Sequence, residues 1–261
     1  MRRPGGLLSA AGLALGISVV AGAHVSMGGD LAIFAQPEAL AVVFGGTAAA
    51  LLVSFPGAII RSAIIEVFSL AWRRPAPLEA LLPAFMNYAR KARRQGLHAV
   101  ELEAAQAGDV FLSRAVSLSV TGLSPELVRE ALEIDARVCA EQEEERAHVL
   151  EAAAGYAPTL GIVGAVLGLM RVMQSFTATP GIGTGIAAAF VATVYGVGAA
   201  NLLFLPLATR LRSRARIEAL RRELMIDGVL ALRDGASPGV VEERLAGYVH
   251  QDRPGTLANV A

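Results

Sequence analysis

Residues 157–170 read APTLGIVGAVLGLM, and residues 185–206 read GIAAAFVATVYGVGAANLLFLP. Each stretch belongs to an apolar run that is about long enough to cross a bilayer as a helix, which takes about 20 residues. The chain has no carboxylate between Glu151 and Glu218. The sequence therefore predicts two membrane helices that lack an acidic side chain of their own.

Small residues recur at helical spacing along both stretches, and such faces let helix backbones approach closely. Two interpretations are open: the two faces pack against each other within the chain, or they receive a helix from another subunit. The small residues are Ala157, Gly161, Gly164 and Gly168 in the first stretch, and Ala188, Ala192, Gly196 and Ala200 in the second.

The composition is that of a membrane protein. Hydrophobic residues make up 54% of the 261 and charged residues only 18%, with a mean hydropathy of +0.52, which is lean in charge for a soluble domain of this length. Two further apolar segments, from Leu7 to about Ala23 and from about Ala39 to Phe55, bring the candidate spans to four. We expect an all-α membrane protein with four transmembrane helices.

The positions of the arginines predict the orientation. The net charge is zero, which gives no bulk basic character to indicate nucleic acid binding. The short connections 24–38 and 177–184 contain no Lys or Arg, so the positive-inside rule places both termini and the long middle segment in the cytoplasm. Arginines adjoin the cytoplasmic ends of the spans at Arg2, Arg3, Arg61, Arg73, Arg74, Arg210, Arg212, Arg214 and Arg216.

Four regions follow from this pattern. Residues 1–56 hold the first two spans and a short periplasmic loop, and residues 57–154 form a cytoplasmic helical domain. Residues 155–209 hold spans three and four, and residues 210–261 form cytoplasmic C-terminal helices. The start of the chain also resembles a secretory signal, with AGA at 21–23 as a cleavage pattern, but retention of this segment keeps the charge asymmetry consistent.

The sequence shows no sign of catalytic chemistry. Cys139 is the single cysteine, the four histidines lack metal-ligand spacing, and a GxxxxGK phosphate loop is absent. We therefore expect a protein that is not an enzyme and that holds neither a metal nor a cofactor.

Start and stop signals divide the cytoplasmic parts into helices. Asp109 can cap a helix over 110–119, and Ser124 followed by Pro125 marks another start. That helix has no obvious stop and is expected to continue into span three, with a kink at Pro158. Span four similarly continues past Pro206 to near Gly235. A helical break at 94–96 and a final helix opened by Ser237 and Pro238 complete the prediction.

Ion movement through lipid usually relies on an intramembrane Asp or Glu, and the polar residues of spans three and four include Thr159 and Thr193 instead. A hydroxyl can line a wet path but does not take up and release a proton near neutral pH. If the protein conducts ions, another subunit supplies the carboxylate. The alternative for Thr193 is a hydrogen bond back to a carbonyl of its own helix.

Three other residues in these spans have both a structural and a functional interpretation. Arg171 lies near the outer end of span three, so its side chain can reach the headgroups rather than line a pathway. Pro158 and Pro206 are either helix punctuation or hinges where a span meets the cytoplasm.

These residues resemble the MotA family of flagellar stator subunits, within the wider MotA, TolQ and ExbB group. FGGTAAALLVSFP at 44–56 is similar to the family's second span, and residues 157–169 are similar to its third. AFVATVYG followed by NLLFLP, within 189–206, is similar to the fourth and is the most specific. Four spans distinguish the chain from ExbB and TolQ, which have three.

The resemblance implies a pentamer in the bacterial inner membrane around a dimer of a MotB-type partner, whose single span carries the titratable aspartate. It places ion-pathway and gating roles on Thr193, Pro158 and Pro206, and also on Thr159, Ala165 and Ala192. Residues 93–101, RRQGLHAVE, resemble the element that meets the rotor protein FliG through opposite charges. That implies rotor contacts for Arg93 and Glu101, with Arg90 and Arg94 as neighbours, whereas the residues alone indicate only a solvated helix end.

The resemblance also bears on the ion. Sodium-driven members carry threonine at the positions of Ala165 and Ala192, where this chain has methyl groups, so the transported ion is expected to be H+. The alternative function is an ExbB-like or TolQ-like energiser of outer-membrane transport or envelope processes, which would use the same membrane chemistry.

Overall fold

The structure is a computed structural model that describes residues 5–72, 77–174 and 182–251, and every regular element in these ranges is helical. This confirms the all-α fold. The predicted orienting residues Arg2, Arg3, Arg73 and Arg74, and most of the connection 177–184, lie outside the described residues.

The N-terminal part begins with α1, Gly5–Ser26, which contains the first predicted span. The second span is made of three consecutive pieces, and it ends where Phe55 takes an extended conformation before Pro56. The elements are a 3-10 turn at Leu31–Phe34, α2 at Pro37–Leu40, a π-helical segment at Ala41–Gly45, α3 at Gly46–Ser54 and α4 at Gly57–Trp72.

The predicted continuity of the long helices is confirmed. Helix α8 runs from Pro125 to Gln174 with Pro158 inside it. Helix α9, Ile182–Gly198, passes through a π-helical segment at Ala199–Phe204 into α10, Leu205–Arg233.

The remaining helices confirm the predicted caps. A 3-10 turn at Leu78–Ala80 leads into α5, Leu81–Gln95, which ends at Gly96 with φ +81°. Asp109 accepts hydrogen bonds from the backbone N–H groups of Phe111 and Leu112 at the start of α7. The elements are α6 at His98–Gln106, α7 at Val110–Val120 and α11 at Pro238–Gln251.

The described residues form two compact units. The first comprises Met1–Arg73 and Glu144–Arg212, and the second comprises Arg74–Glu143 and Ser213–Ala261. The predicted limits at residues 56, 154 and 209 concern the position of the bilayer, and they stay predictions.

The first unit has a small buried core and a wide apolar exterior. Its core is a cluster of Ala39, Val43, Ala157 and Ala192. Three helices in the described ranges are long and apolar enough to cross a membrane, namely Leu31–Ser54, Pro125–Gln174 and Gly185–Arg233, and Ala10–Ser26 is a shorter apolar helix. Large apolar side chains on the outside of a protein mark contact with lipid or with other chains.

The second unit has the core of a soluble domain. Phe85 on α5 is fully buried and lies against the glycine at 228 on α10, where an added Cβ would come within 2.5 Å of the ring. Other large, fully buried members are Leu78, Val100, Val116, Val128, Leu132, Leu224, Val229, Val241 and Leu245.

Candidate functional site

Helices α8 and α9 meet along a row of small residues, which we call the small-residue seam. A Cβ added to Gly161 would lie 2.8 Å from the carbonyl oxygen of Ala192, and one added to Gly168 would lie 2.7 Å from Cβ of Ala189. A Cβ on Gly196 would press into the carbonyl oxygen of Ala157. The seam consists of Ala157, Gly161, Gly164 and Gly168 on α8, and Ala189, Ala192 and Gly196 on α9.

The seam decides between the two interpretations of the small faces. Gly164 packs against Ala192, since an added Cβ would lie 2.7 Å from the alanine Cβ. These residues are therefore used for packing within one chain. Any helix from another subunit would have to meet α8 and α9 on their other faces.

The hydroxyl of Thr193 lies at the seam. Its Oγ1 donates to the carbonyl oxygen of Gly161, on the facing helix, over 3.4 Å. The alternative of a bond to its own helix is therefore wrong. Pro158 is close by, because an added Cβ on Gly196 would lie 3.1 Å from its Cα.

The structure brings Pro158, Ala192 and Thr193 together and leaves other predicted residues outside this group. Ala192 is fully buried and Ala165 nearly so. Thr159 is exposed, and its hydroxyl donates to the carbonyl of Tyr156 over 2.7 Å. Its side chain therefore lies on the outer surface of α8 and could contact another chain only there.

Pro206 and Arg171 are exposed as well. Pro206 is the second residue of α10, directly after the π-helical segment, and Arg171 is in the last turn of α8. That the arginine side chain reaches the headgroups stays a prediction.

The outward faces of α8 and α9 are apolar. Phe190 is 56% exposed and Ile162 58%, which is enough surface to require cover by lipid or another chain. The exposed stripes are Ile162, Val163, Val166, Leu167 and Met170 on α8, and Ile186, Phe190, Val194 and Val197 on α9.

Two carboxylates of α8, Glu144 and Glu151, are paired with an arginine of α10. Arg212 Nε donates to Glu144 Oε1 over 2.7 Å, and Arg212 also pairs with Glu151. These pairs were not predicted. The partners lie 68 and 61 positions apart in the sequence, so no local pattern connects them.

The predicted rotor element lies in the second unit, where α5 ends and α6 begins. Arg90, Arg93 and Arg94 are exposed in the last turns of α5, and Arg90 donates to Asn87 Oδ1. Glu101 lies in the first turn of α6, with His98 Nδ1 3.8 Å from its Oε2. The structure therefore places these charges on either side of the turn at 96–97.

Two ion pairs hold this element, and neither was predicted. Lys91 on α5 bonds Glu103 on α6 over 2.6 Å, and Arg221 on α10 bonds Asp109 over 2.8 Å. Burial, with the charges of Glu103 and Asp109, raises the pKa of Tyr88. The partners in each pair are too far apart in the sequence for a local pattern to predict the pairing.

Asp227 on α10 is the centre of a second polar cluster. Its Oδ1 accepts from Arg129 Nη2 over 2.8 Å, and its Oδ2 accepts from the hydroxyl of Tyr248 over 2.6 Å. Burial would raise the pKa of Asp227, but these hydrogen bonds lower it overall. The same bond and burial raise the pKa of Tyr248. The cluster joins α8, α10 and α11.

Family models and curated proteins point to one group. The model described as the MotA/TolQ/ExbB proton channel family matches residues 103–224. Motility protein A of Bacillus subtilis (strain 168) is 32% identical over 240 residues, covering 91% of this chain and 88% of that protein. Chemotaxis protein PomA of Vibrio alginolyticus is 29% identical over 228 residues, covering 87% and 89%.

Solved structures agree with this grouping. The C. jejuni MotAB structure superposes with a TM-score of 0.87 at 25% identity, covering 95% of this chain and 97% of that one. The flagellar MotAB stator complex from Bacillus subtilis gives 0.84 at 30% identity, covering 97% and 100%. The similarity in sequence and in fold shows that the chain belongs to the MotA/TolQ/ExbB proton channel family, as a MotA-type flagellar stator subunit.

Proposed function

We propose that this stator subunit conducts protons together with a MotB-type partner and converts their flow into torque on the rotor. The observation that carries the proposal is the small-residue seam in a pair of spans without a carboxylate. The seam is filled from within the chain, and Thr193 offers a hydroxyl there but no titratable group. The partner's span therefore supplies the acid.

The partner helix docks, in this proposal, on the exposed apolar stripes of α8 and α9. Residues such as Phe190 and Val194 can pack against an apolar span. Thr159 is also exposed on the outer surface of α8. Protonation of the partner's acid changes its charge next to these helices, and their packing responds.

Protons suit these two helices better than sodium ions. A dehydrated cation needs several oxygen ligands to replace its water shell. Ala165 and Ala192 offer methyl groups, and both are buried. The flow of one charge across 100 mV releases about 2.3 kcal/mol, which is the energy available for each step.

The second unit transmits the motion to a FliG-type rotor protein. The exposed arginines of α5, Arg90, Arg93 and Arg94, and the carboxylate of Glu101 are available for pairing with rotor charges. Such contacts weaken as salt shortens the screening length, which is about 8 Å at physiological ionic strength. Weak, screened contacts can form and break as the rotor passes.

We further propose a pentamer with four spans per chain in the bacterial inner membrane and both termini in the cytoplasm. The relatives named Motility protein A and Chemotaxis protein PomA support a stator over an ExbB-like or TolQ-like energiser. Assembly as a ring would bring the outward faces of α8 and α9 of every copy to the same partner helices.

Vesicles test this proposal directly. The chain is reconstituted alone and together with its MotB-type partner, and acidification is followed under an applied potential. We expect proton uptake only with the partner, and its loss when the partner's membrane aspartate becomes Asn. Equal uptake by the chain alone would overturn the proposal, as would normal swimming of cells from which the gene is deleted.

A further inference from the structure

Two of the apolar spans contain a widened, π-helical turn. One is Ala41–Gly45 in the second span, and the other is Ala199–Phe204 between α9 and α10. In the latter, the N–H of Leu205 bonds the carbonyl of Ala200, five residues back. Such turns insert an extra residue into a helix, and they are frequent at functional sites.

A polar side chain accompanies each widened turn. The amide Nδ2 of Asn201 donates to the carbonyl oxygen of Val197 over 2.9 Å. The hydroxyl of Thr47 donates to the carbonyl oxygen of Val43 over 2.6 Å. In each case the donor sits four residues after its acceptor. The side chain thereby adds a bond where the backbone ladder changes from one pattern to the other.

Asn201 differs from Thr47 in its surroundings. Thr47 is buried, whereas Asn201 is exposed on an apolar span. An amide at membrane depth is costly unless it is hydrogen-bonded. The bond to Val197 satisfies one of its donors, so the side chain has a physical reason to stay in this position.

Pro206 disfavours an ordinary α-helical turn at this point. A proline lacks an N–H, and its ring clashes with the carbonyl of the residue four positions earlier, which is Leu202. The π-helical turn lies directly before the proline and includes Leu202. The side chain of Leu202 packs against α1, where a Cβ on Gly16 would lie 2.9 Å from its Cδ2.

We propose that Asn201 is a positioning residue that holds the widened turn open and so sets the rotation of α10 below Pro206. The inference rests on the proposed function, because it assigns a moving part to the fourth span. Closing the extra residue into an ordinary turn would rotate the following residues by about 100°, the angle of one residue in an α-helix. Asn201 prevents this rotation except where it occurs as a step in the cycle of the motor.

Cysteine labelling reads this rotation. Ala208 is buried and Thr209 is exposed, although they are neighbours in α10. In a Cys139→Ser background, Ala208→Cys and Thr209→Cys are reacted with a maleimide in membranes that contain the complete complex. We expect labelling at position 209 and protection at position 208. Adding Asn201→Leu, which keeps the size and removes the donor, should reverse this preference and abolish swimming.

Two further variants separate positioning from general damage. Asn201→Ser restores a donor that can bond the carbonyl four residues back, so it should recover the labelling preference and part of the swimming. Thr209→Val removes a bond of the same type, to Leu205 over 3.0 Å, outside the widened turn. It should leave swimming unchanged.

An unchanged labelling preference in Asn201→Leu would overturn the inference, whether or not the cells swim. If Asn201→Leu fails to reach the membrane, Asn201→Ala replaces it in the same assay and decides by the same criterion. The labelling does not depend on rotation of the motor. A reversed preference in a strain whose swimming does not depend on this gene would therefore contradict the proposed stator function and leave the positioning role standing.

Discussion

Thr193 Oγ1 lies 3.4 Å from the carbonyl oxygen of Gly161, across the seam between α9 and α8. The separation exceeds the usual 2.5 to 3.0 Å of a hydroxyl hydrogen bond, so the bond is weak. It exists because Gly161 has no side chain to keep the hydroxyl away. A bond this weak leaves the hydroxyl able to rotate, as its proposed role beside the ion path requires.

Substitution of Thr193 tests this role. Thr193→Val keeps the shape and removes the hydroxyl, so we expect normal membrane levels with strongly reduced swimming and proton flux. Thr193→Ser restores the hydroxyl and should recover most of both. Equal swimming of the valine and serine variants would show that the hydroxyl plays no part.

A methyl group in the seam should be costly. Gly196→Ala places a Cβ against the carbonyl of Ala157, and overpacking of this kind typically costs about 1 to 3 kcal/mol. We expect a lower thermal midpoint for the purified complex. Gly198→Ala is the matched control, because its Cβ meets nothing within 4 Å, and it should be neutral or stabilising by about 0.5 kcal/mol. Equal midpoints for the two variants would contradict the close approach.

Charge reversal tests the rotor element. Arg93→Glu and Glu101→Lys should each reduce swimming without lowering membrane levels, since both side chains are accessible. Arg137→Glu, an exposed arginine elsewhere in the second unit, is the control. A compensating reversal on the rotor protein should restore motion. Full swimming of both reversal variants would remove these residues from the interface.

The lowered pKa of Asp227 predicts that the stability of the folded protein depends on pH. Its pKa is lowered in the folded state, so its contribution is present above the unfolded value of about 3.9 and is lost as pH falls through the folded one. Asp227→Asn should destabilise the protein by about 2 kcal/mol at neutral pH, the scale of hydrogen bonds to a charged group. The difference in stability between this variant and the unchanged protein should become smaller in acid.

Thermal unfolding of the purified complex between neutral pH and about pH 3 measures this difference. Asp234→Asn is the control, because that carboxylate is exposed on the same stretch of chain. A deficit that stays constant with pH would show that the charge of Asp227 is not what stabilises the cluster.

Much of the helical organisation could be predicted from local signals. Asp109, Ser124 and Gly96 mark helix ends by their own chemistry, and the structure confirms all three. The small residues of spans three and four predicted a close helix contact, but periodicity alone did not say which helix makes it.

The remaining parts depend on tertiary contacts. The cluster of Asp227, Arg129 and Tyr248 joins residues 98 and 21 positions apart, and no local pattern connects them. The π-helical turn before Pro206 likewise leaves no periodic signal, because it adds only a single residue. The functional roles of Arg93 and Glu101 stay predictions for the experiments above, and the role of Pro206 stays a prediction.

The seam also sets what evolution can do with these two helices. Every replacement of Gly161 or Gly196 by another amino acid adds at least one carbon where backbone atoms already touch. Substitution at these two positions should therefore be disfavoured. Exposed residues such as Ile162 and Val194 carry no such constraint from their own chain. The outer faces can therefore change in sequence to fit other chains while the contact in the seam stays the same.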